Sequence, residues 1–407
     1  MNARSRLVGP LLSAGLLAGL GGCGGESPDS DEADQKALPP GAIRVATFNA
    51  SLNRDAEGKL VQDLSTPDNA QARAIAKIIQ KVRPDILLIN EFDYDEEDEG
   101  AELFQHNYLS IKQGTQKAIE FPYRFVAPSN TGVPSGKDLD NDGKIGGGGD
   151  AFGFGDFPGQ FAFVVYSRYP IDEAKIKSFQ KFLYKDMPGA KFPDDPKKPG
   201  TGDWYSAEEL DVLRLSSKNH VDLPIDIDGK TVHVLAHHPT PPAFDGPEDR
   251  NGIRNAHEIR LFADYITPGA GDYLVDDQGG HGVLAETESF VILGDHNSDP
   301  NDGSSQAVRQ LLEHPRVNLS MTPKSRGAPL DAQSQGGINA SHKGDPSNDT
   351  GDFNDAKVGN LRLDYVLPSV DLEMLDAQVF WPKKTDPLYP LILNSDHRMV
   401  WIDVQVK

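Results

Sequence analysis

The sequence predicts an α/β fold, on two observations. Short apolar runs of strand character alternate with stretches whose apolar residues recur at helical spacing. Several of those apolar runs also stop abruptly on an acid, an amide or a histidine, which gathers polar groups at one rim of a sheet. No segment repeats at a fixed period, which excludes a solenoid.

Residues 43–49 (Ile-Arg-Val-Ala-Thr-Phe-Asn) read as a first strand ending on Asn49. Thr66 offers an N-cap with Pro67 at the first helical position, and Ala72, Ile75, Ile78, Ile79 and Val82 follow on one face. Residues 85–91 form an apolar strand that ends in Asn90 and Glu91. Further strands are expected over 161–166, 231–238, 289–295, 361–367 and 397–406, and helices over 255–266 and 305–314. Residues 127–160, rich in Gly and Asp, and the polar stretch 322–358 break this rhythm; loops of that length in a compact domain are functional or disordered. Nothing divides 42–407, which is read as one domain.

Composition bounds the function. Hydrophobic residues at 37% with 25% charged describe a globular protein, and 40 Gly with 30 Pro predict long loops. A net charge of −22 argues against charge-driven binding to nucleic acid, although metal ions reverse the field around a carboxylate-rich site. The single cysteine, Cys23, excludes an internal disulfide. Arg4 and Arg6 precede an apolar run over 7–20, too short to span a bilayer, so 1–23 reads as an export signal. Leu20-Gly21-Gly22-Cys23 resembles a bacterial lipobox, which implies export with a lipid on Cys23; an ordinary cleaved signal, giving a secreted protein, is the other reading. Residues 24–41 are acidic and Pro/Gly-rich, as a flexible tether would be.

The chemistry sits at the strand ends. Gly294-Asp295-His296-Asn297 follows an apolar run, so Asp295 and Asn297 can face one pocket, one to accept a proton and one to donate a hydrogen bond; Asp-x-Asn is also ordinary turn chemistry. Ser395-Asp396-His397 sets a carboxylate beside a histidine, which suits a metal or developing phosphoryl charge. Glu91 closes a strand buried on both faces and needs a cation or donor, a structural salt bridge being the plain alternative.

Taken in order, Phe48-Asn49, Asn90-Glu91, His237-His238, Gly294-Asp-His-Asn297, Leu361-Arg-Leu-Asp364-Tyr365 and Ser395-Asp-His397 resemble the motif set of the endonuclease/exonuclease/phosphatase superfamily, over residues 43–406. The resemblance implies a four-layer α/β/β/α sandwich of two mainly antiparallel sheets flanked by helices. It implies a Mg²⁺- or Mn²⁺-dependent phosphoesterase in which Glu91 is the main metal ligand, with Asn49 and Asp396 close by. Asp295 is implied to deprotonate or orient water, Asn297 to hold phosphate or that water, and His397, oriented by Asp364, to stabilise the pentacovalent phosphorus. His238 is taken as the second histidine, rather than His237, because His238-Pro-Thr-Pro241 resembles the His-x-x-Pro stretch of deoxyribonuclease I-like members. His296 stands where the family has Phe and is expected to point outward at the rim, with metal ligation as the other reading. The phosphate-holding tyrosine of some members has no clear counterpart.

Asp138, Asp140, Asp142 and Gly143 match the first half of an EF-hand-type loop, a candidate Ca²⁺ site that lacks the closing glutamate, although Asp150 lies nearby. Lys218, His220, Arg250 and Arg254 are candidate cations for a substrate phosphate, or simply solvated loop residues. The expected substrate is a phosphorylated small molecule or a nucleic acid, acted on by a monomer; a non-catalytic surface module on the same fold is the rival class.

Overall fold

The computed structural model describes residues 37–198 and 200–407; the expected export signal with Cys23, and the expected tether up to residue 36, lie outside the described residues. The first sheet runs β12-β13-β1-β2-β4-β3, built from β1 (Ala42–Asn49), β2 (Ile86–Asn90), β3 (Tyr123–Ala127), β4 (Phe163–Ser167), β12 (Glu373–Val379) and β13 (Val400–Gln405). The second runs β11-β8-β7-β6-β5, from β5 (Lys177–Ser178), β6 (His220–Ile227), β7 (Lys230–His237), β8 (Ser289–Asp295) and β11 (Asp364–Pro368). A short ribbon of β9 (Gly351–Asp352) and β10 (Asn360–Leu361) stands apart. The architecture is the α/β/β/α sandwich, and both sheets are mainly antiparallel.

Each sheet contains one parallel pair, β1–β2 and β7–β8, and each pair needs a crossover. Helix Ala70–Val82 makes the first and helix Arg250–Tyr265 the second. Alternation along the strands decides the layers. Val291, Leu293 and Val366 belong to a core shared with the first sheet and helix Ala70–Val82, while Phe290, Ile292, Tyr365 and Leu367 pack with Ile259, Phe262 and Tyr265 of the other helix.

This topology makes one rim polar. The C-terminal ends of the parallel strands carry Asn49, Glu91, His238 and Asp295, and the antiparallel neighbours β11 and β13 start there with Asp364 and, just upstream, His397. In register, Asn49 lies beside Asn90 and Asp295 beside Asp364.

Several local expectations change. A short helix, Lys59–Leu64, precedes the one expected after Thr66, which begins at Ala70, because Asn69 caps it by accepting from the Ala72 N–H at 3.0 Å, while the Thr66 carbonyl is taken by the Tyr108 hydroxyl. The strand expected over 361–367 is broken at Arg362 and Leu363, whose backbone turns to bond Asp299 and His296. Only Arg309–Leu312 of 305–314 is α-helical, and the final strand starts at Val400. Strand β6 was hidden by Pro224, which is tolerated because β5, its neighbour on that side, spans only Lys177–Ser178.

Candidate active site

Asn49, Glu91, Asp295, Asp364 and His397 converge between the two sheets. Asn49 Nδ2 donates both to Glu91 Oε1 and to Asp295 Oδ2, each at 3.1 Å. Asp295 is 1% exposed. Its Oδ1 accepts from the Asn297 N–H at 2.8 Å, and its Oδ2 faces His238 Nε2 at 3.4 Å and His397 Nε2 at 3.5 Å. His397 Nδ1 meets Asp364 Oδ2 at 2.8 Å. Ser395 accepts from the His397 N–H and donates to the Asn49 carbonyl, which holds the loop before β13 against the end of β1. The exposed Asp396 accepts from the Ser51 hydroxyl at 3.2 Å.

The backbone is strained here. Ser51, Glu91 and Asn297 have φ of 49°, 57° and 50°, a region unfavourable for side-chain-bearing residues, and in Glu91 and Asn297 it turns the chain just beyond a strand end. Gly294, at φ 149°, lies so close to β7 that a Cβ would stand 2.0 Å from the His237 carbonyl oxygen.

Electrostatics assign the protons. Burial opposes ionisation of Asp295, but the His397 charge, the contact with His238 and the Asn297 N–H outweigh it and hold the carboxyl below the usual range. Burial would likewise discharge His397, yet the carboxylates of Asp364 and Asp295 raise it well above an ordinary imidazole. His238 is driven the other way, to about 4, by burial and then by the charge of Lys218. The site thus holds an ionised Asp295 between one imidazolium and one neutral imidazole.

Glu91 is pushed up by burial, with further repulsion from Asp396 and Asp295. Its Oε2 accepts no hydrogen bond among the described residues. An oxygen-donor group of Glu91 and Asp396 with too few cations beside it is the set that a hard divalent ion such as Mg²⁺ satisfies, so the residues fit such an ion. The side chains of Asp295, Asp364 and His397 also lie within 4.8 Å of one another, but His397 and Asp364 are engaged with each other.

Not every candidate reaches the site. His220 is buried and bonded to Ser216 Oγ and the Glu258 carbonyl. Arg254 donates to the carbonyls of Leu215, Phe152 and Arg214, and Arg250 donates to the carbonyl of Leu139. These three serve the fold around the site. Lys218 is different: it is 6% exposed, and its charge interacts with those of Glu258, Glu91 and Asp295 without a direct hydrogen bond to any of them. His296 does not point outward. It is 0% exposed, 4.4 Å from the His237 ring and stacked on Tyr365 at 4.9 Å, because its strand end is roofed by the helix Arg250–Tyr265. Neither ring nitrogen of His237 or His296 has a hydrogen-bond partner among the described residues, and burial keeps both neutral, His296 at about 3. Tyr166 is sealed in the core, its hydroxyl on the Ala101 carbonyl.

The acidic loop also changes its membership. Asp138, Asp140 and Asp150 bring oxygens within 4.8 Å of one another, whereas Asp142 turns its carboxylate to the Lys144 N–H. Asp150 takes that place because the loop closes on it, through the N–H groups of Leu139 and Gly146. Sequence reasoning missed Glu258, fully buried on the helix Arg250–Tyr265; a charged residue amid Ile259, Leu261 and Phe262 was the available signal.

The sequence profile of the Endonuclease/Exonuclease/phosphatase family matches residues 46–397. No curated protein sequence matches the chain. Among solved structures, the chain is similar to an endonuclease/exonuclease/phosphatase from Beutenbergia cavernae, at 16% identity over 90% of this chain and 72% of that one, with a TM-score of 0.47. It is also similar to sphingomyelinase C from Streptomyces griseocarneus (14% identity, 89% and 99% covered, TM-score 0.45). A family protein from Bacteroides thetaiotaomicron is similar at 11% identity, with 89% and 94% covered and a TM-score of 0.45.

Proposed function

Since this chain belongs to the endonuclease/exonuclease/phosphatase family, we propose that it is a divalent-metal-dependent phosphoric ester hydrolase in which Asp295 activates the attacking water. The observation that carries this reading is the buried Asp295 carboxylate, kept ionised where the two sheets meet. An ionised carboxylate with a neighbouring imidazolium is equipped to take a proton from water while positive charge faces the phosphoryl group.

The residues divide the work. Asp295 orients water and accepts its proton. The Asn297 N–H and the Asn49 amide fix that carboxylate, and the Asn297 side chain, now donating to the Pro239 carbonyl at 3.1 Å, stands at the mouth of the same turn to hold phosphate or water. His397, held by Asp364, stabilises charge on the pentacovalent phosphorus, and His238 donates to a phosphate oxygen when the substrate displaces its contact with Asp295. Glu91, with Asp396 and Asn49 nearby, would hold Mg²⁺ or Mn²⁺, which supplies charge neutralisation at the phosphate. In-line placement and charge are what phosphoryl transfer needs most, and no covalent nucleophile is required.

A phosphodiester or phosphomonoester of modest charge is the preferred substrate, with an extracellular nuclease as the second reading, because a net charge of −22 opposes a long polyanion. The leader ending at Cys23 supports export, with acylation of that cysteine as the membrane tether. The test compares wild type and His397→Ala on bis-p-nitrophenyl phosphate, p-nitrophenyl phosphate and plasmid DNA, with Mg²⁺, Mn²⁺ or EDTA. Metal-dependent turnover lost in the variant is expected. A folded wild type that turns over none of these substrates would favour the non-catalytic module.

A further inference from the structure

Beside the site, two buried charged side chains have no part in the chemistry above. Lys218 lies in the turn that leads into β6 and is nearly sealed from solvent. Burial lowers its ammonium below the ordinary lysine range, against the pull of Glu258, Glu91 and Asp295. No described residue hydrogen-bonds or ion-pairs with its Nζ. A nearly buried ammonium without a direct partner is costly, and the neighbouring guanidinium of Arg254 is engaged with the carbonyls of Leu215, Phe152 and Arg214.

The turn that carries it is fixed from three sides. Glu258, fully buried, accepts from the Ser217 N–H through Oε1 and from the Thr240 N–H through Oε2, both at 2.6 Å. One carboxylate therefore ties the residue before Lys218 to the residue two beyond His238. Asn130 donates its N–H to the Lys218 carbonyl and its side chain to the Ser216 carbonyl. Gly153 presses on the third side, where a Cβ would stand 1.9 Å from the Ser217 carbonyl oxygen. A cation without a direct partner, on a turn that Glu258 ties to the segment just after His238, is preorganised for an anion that arrives there.

We propose that Lys218 is a further catalytic residue, holding a non-bridging oxygen of the substrate phosphoryl group, and that Glu258 is the positioning residue that sets Lys218 and His238 around that group. The proposal rests on the phosphoesterase reading. A compact ammonium suits a point contact to phosphate, and it supplies the phosphate-holding role for which the sequence offers no tyrosine.

The experiment uses the full chain in saturating Mg²⁺ and reads two quantities. Inorganic phosphate affinity comes from calorimetry, and kcat and KM come from whichever phosphoester the wild type hydrolyses. Lys218→Met should weaken phosphate binding on the order of 10- to 100-fold and lower kcat/KM at least as much, with Lys218→Arg recovering part of both. Glu258→Asp, too short to reach both N–H groups, should shift both in the same direction by less. If that variant does not fold, Glu258→Gln, which keeps one acceptor, replaces it. The double variant should lose less than the sum of the two single losses, because only the His238 part of the Glu258 effect remains once Lys218 is gone, and fully additive losses would overturn the positioning of Lys218. Unchanged phosphate affinity in Lys218→Met overturns the catalytic role, as does a gain in Mg²⁺ affinity with phosphate binding intact. If the wild type hydrolyses nothing yet binds phosphate through Lys218, the hydrolase reading falls and the contact stands.

Discussion

The two ends of β1 each bear a cluster of buried charge, and only one cluster is balanced. Near the start of the strand, Arg44 grips Asp403 with two hydrogen bonds, of 2.6 and 2.7 Å, and donates to the Val82 carbonyl. Asp85 beside it takes the Arg44 N–H and the Arg168 guanidinium, both at 2.8 Å. Each carboxylate there has a cation of its own. At the far end, Glu91 is repelled by Asp295 and by the more exposed Asp396, an amide stands between Glu91 and Asp295, and His397 is hydrogen-bonded to Asp364. A charged core group that finds its partner within the fold serves stability, whereas a group left wanting one serves whatever binds there.

The comparison can be broken by substitution at either end. His397→Ala should lower kcat of the folded fraction by about 10²- to 10⁴-fold, a loss well beyond the accompanying fall in the urea midpoint that comes from leaving Asp364 without its partner. Arg44→Met should do the reverse, costing about 3–5 kcal/mol in urea melts with kcat intact for the folded fraction, because it strands Asp403 in the core. If Arg44→Met impaired turnover more than stability, the two ends would not be functionally distinct.

Acidification sharpens the contrast further. His220 and His238 are held at about 4 and His296 at about 3, all by burial, against an ordinary 6.5. The unfolded chain therefore binds protons that the folded chain refuses, so stability is lost as pH falls from about 6.5 toward 4, on the order of 3 kcal/mol for each fully buried ring. His397 has the opposite sign: its raised value stabilises below the unfolded value and that contribution fades as pH rises through the folded one. A urea midpoint that stays flat from pH 7 to pH 4.5 would contradict the neutral histidines.

The smallest effect belongs to Glu91→Gln. Removing a charge that is desolvated and repelled by Asp396 and Asp295 should raise the melting temperature in EDTA, by the equivalent of about 1 kcal/mol, and abolish the rise produced by Mg²⁺ in wild type. A variant with a lower melting temperature in EDTA and an undiminished Mg²⁺ response would remove Glu91 from the metal.

Much of this arrangement was legible in the sequence, for a physical reason. A strand buried on both faces has no use for a polar residue until it leaves the sheet, so Asn49, Glu91, Asp295 and His397 mark their own positions. The register Asp295–Asp364 then follows from topology rather than from any local signal. Orientation was not legible. His237 and His238 differ only in the face of β7 they take, and His296 turns inward because His237 and Tyr365 leave a slot for its ring. Nor were long-range polar partners: Arg250 and Arg254 looked free because the carbonyls they serve belong to loops far along the chain. Glu258 stayed hidden for the same reason, since its partners Ser217 and Thr240 lie on other elements.

The pairing of β1 with β13 carries a consequence for assembly. Ala42 finds Gln405 and Thr47 finds Val400, so the middle of the first sheet is closed by contacts more than three hundred and fifty residues apart. Asp396 and His397 lie just before that last strand and cannot reach Ser51 or Asp364 before it docks. During synthesis the ribosome therefore carries a chain whose early half has its glutamate but neither the aspartate nor the imidazolium of the finished centre. Long-range closure of this kind is slow, and it acts here as a timer: competence arrives in one late step.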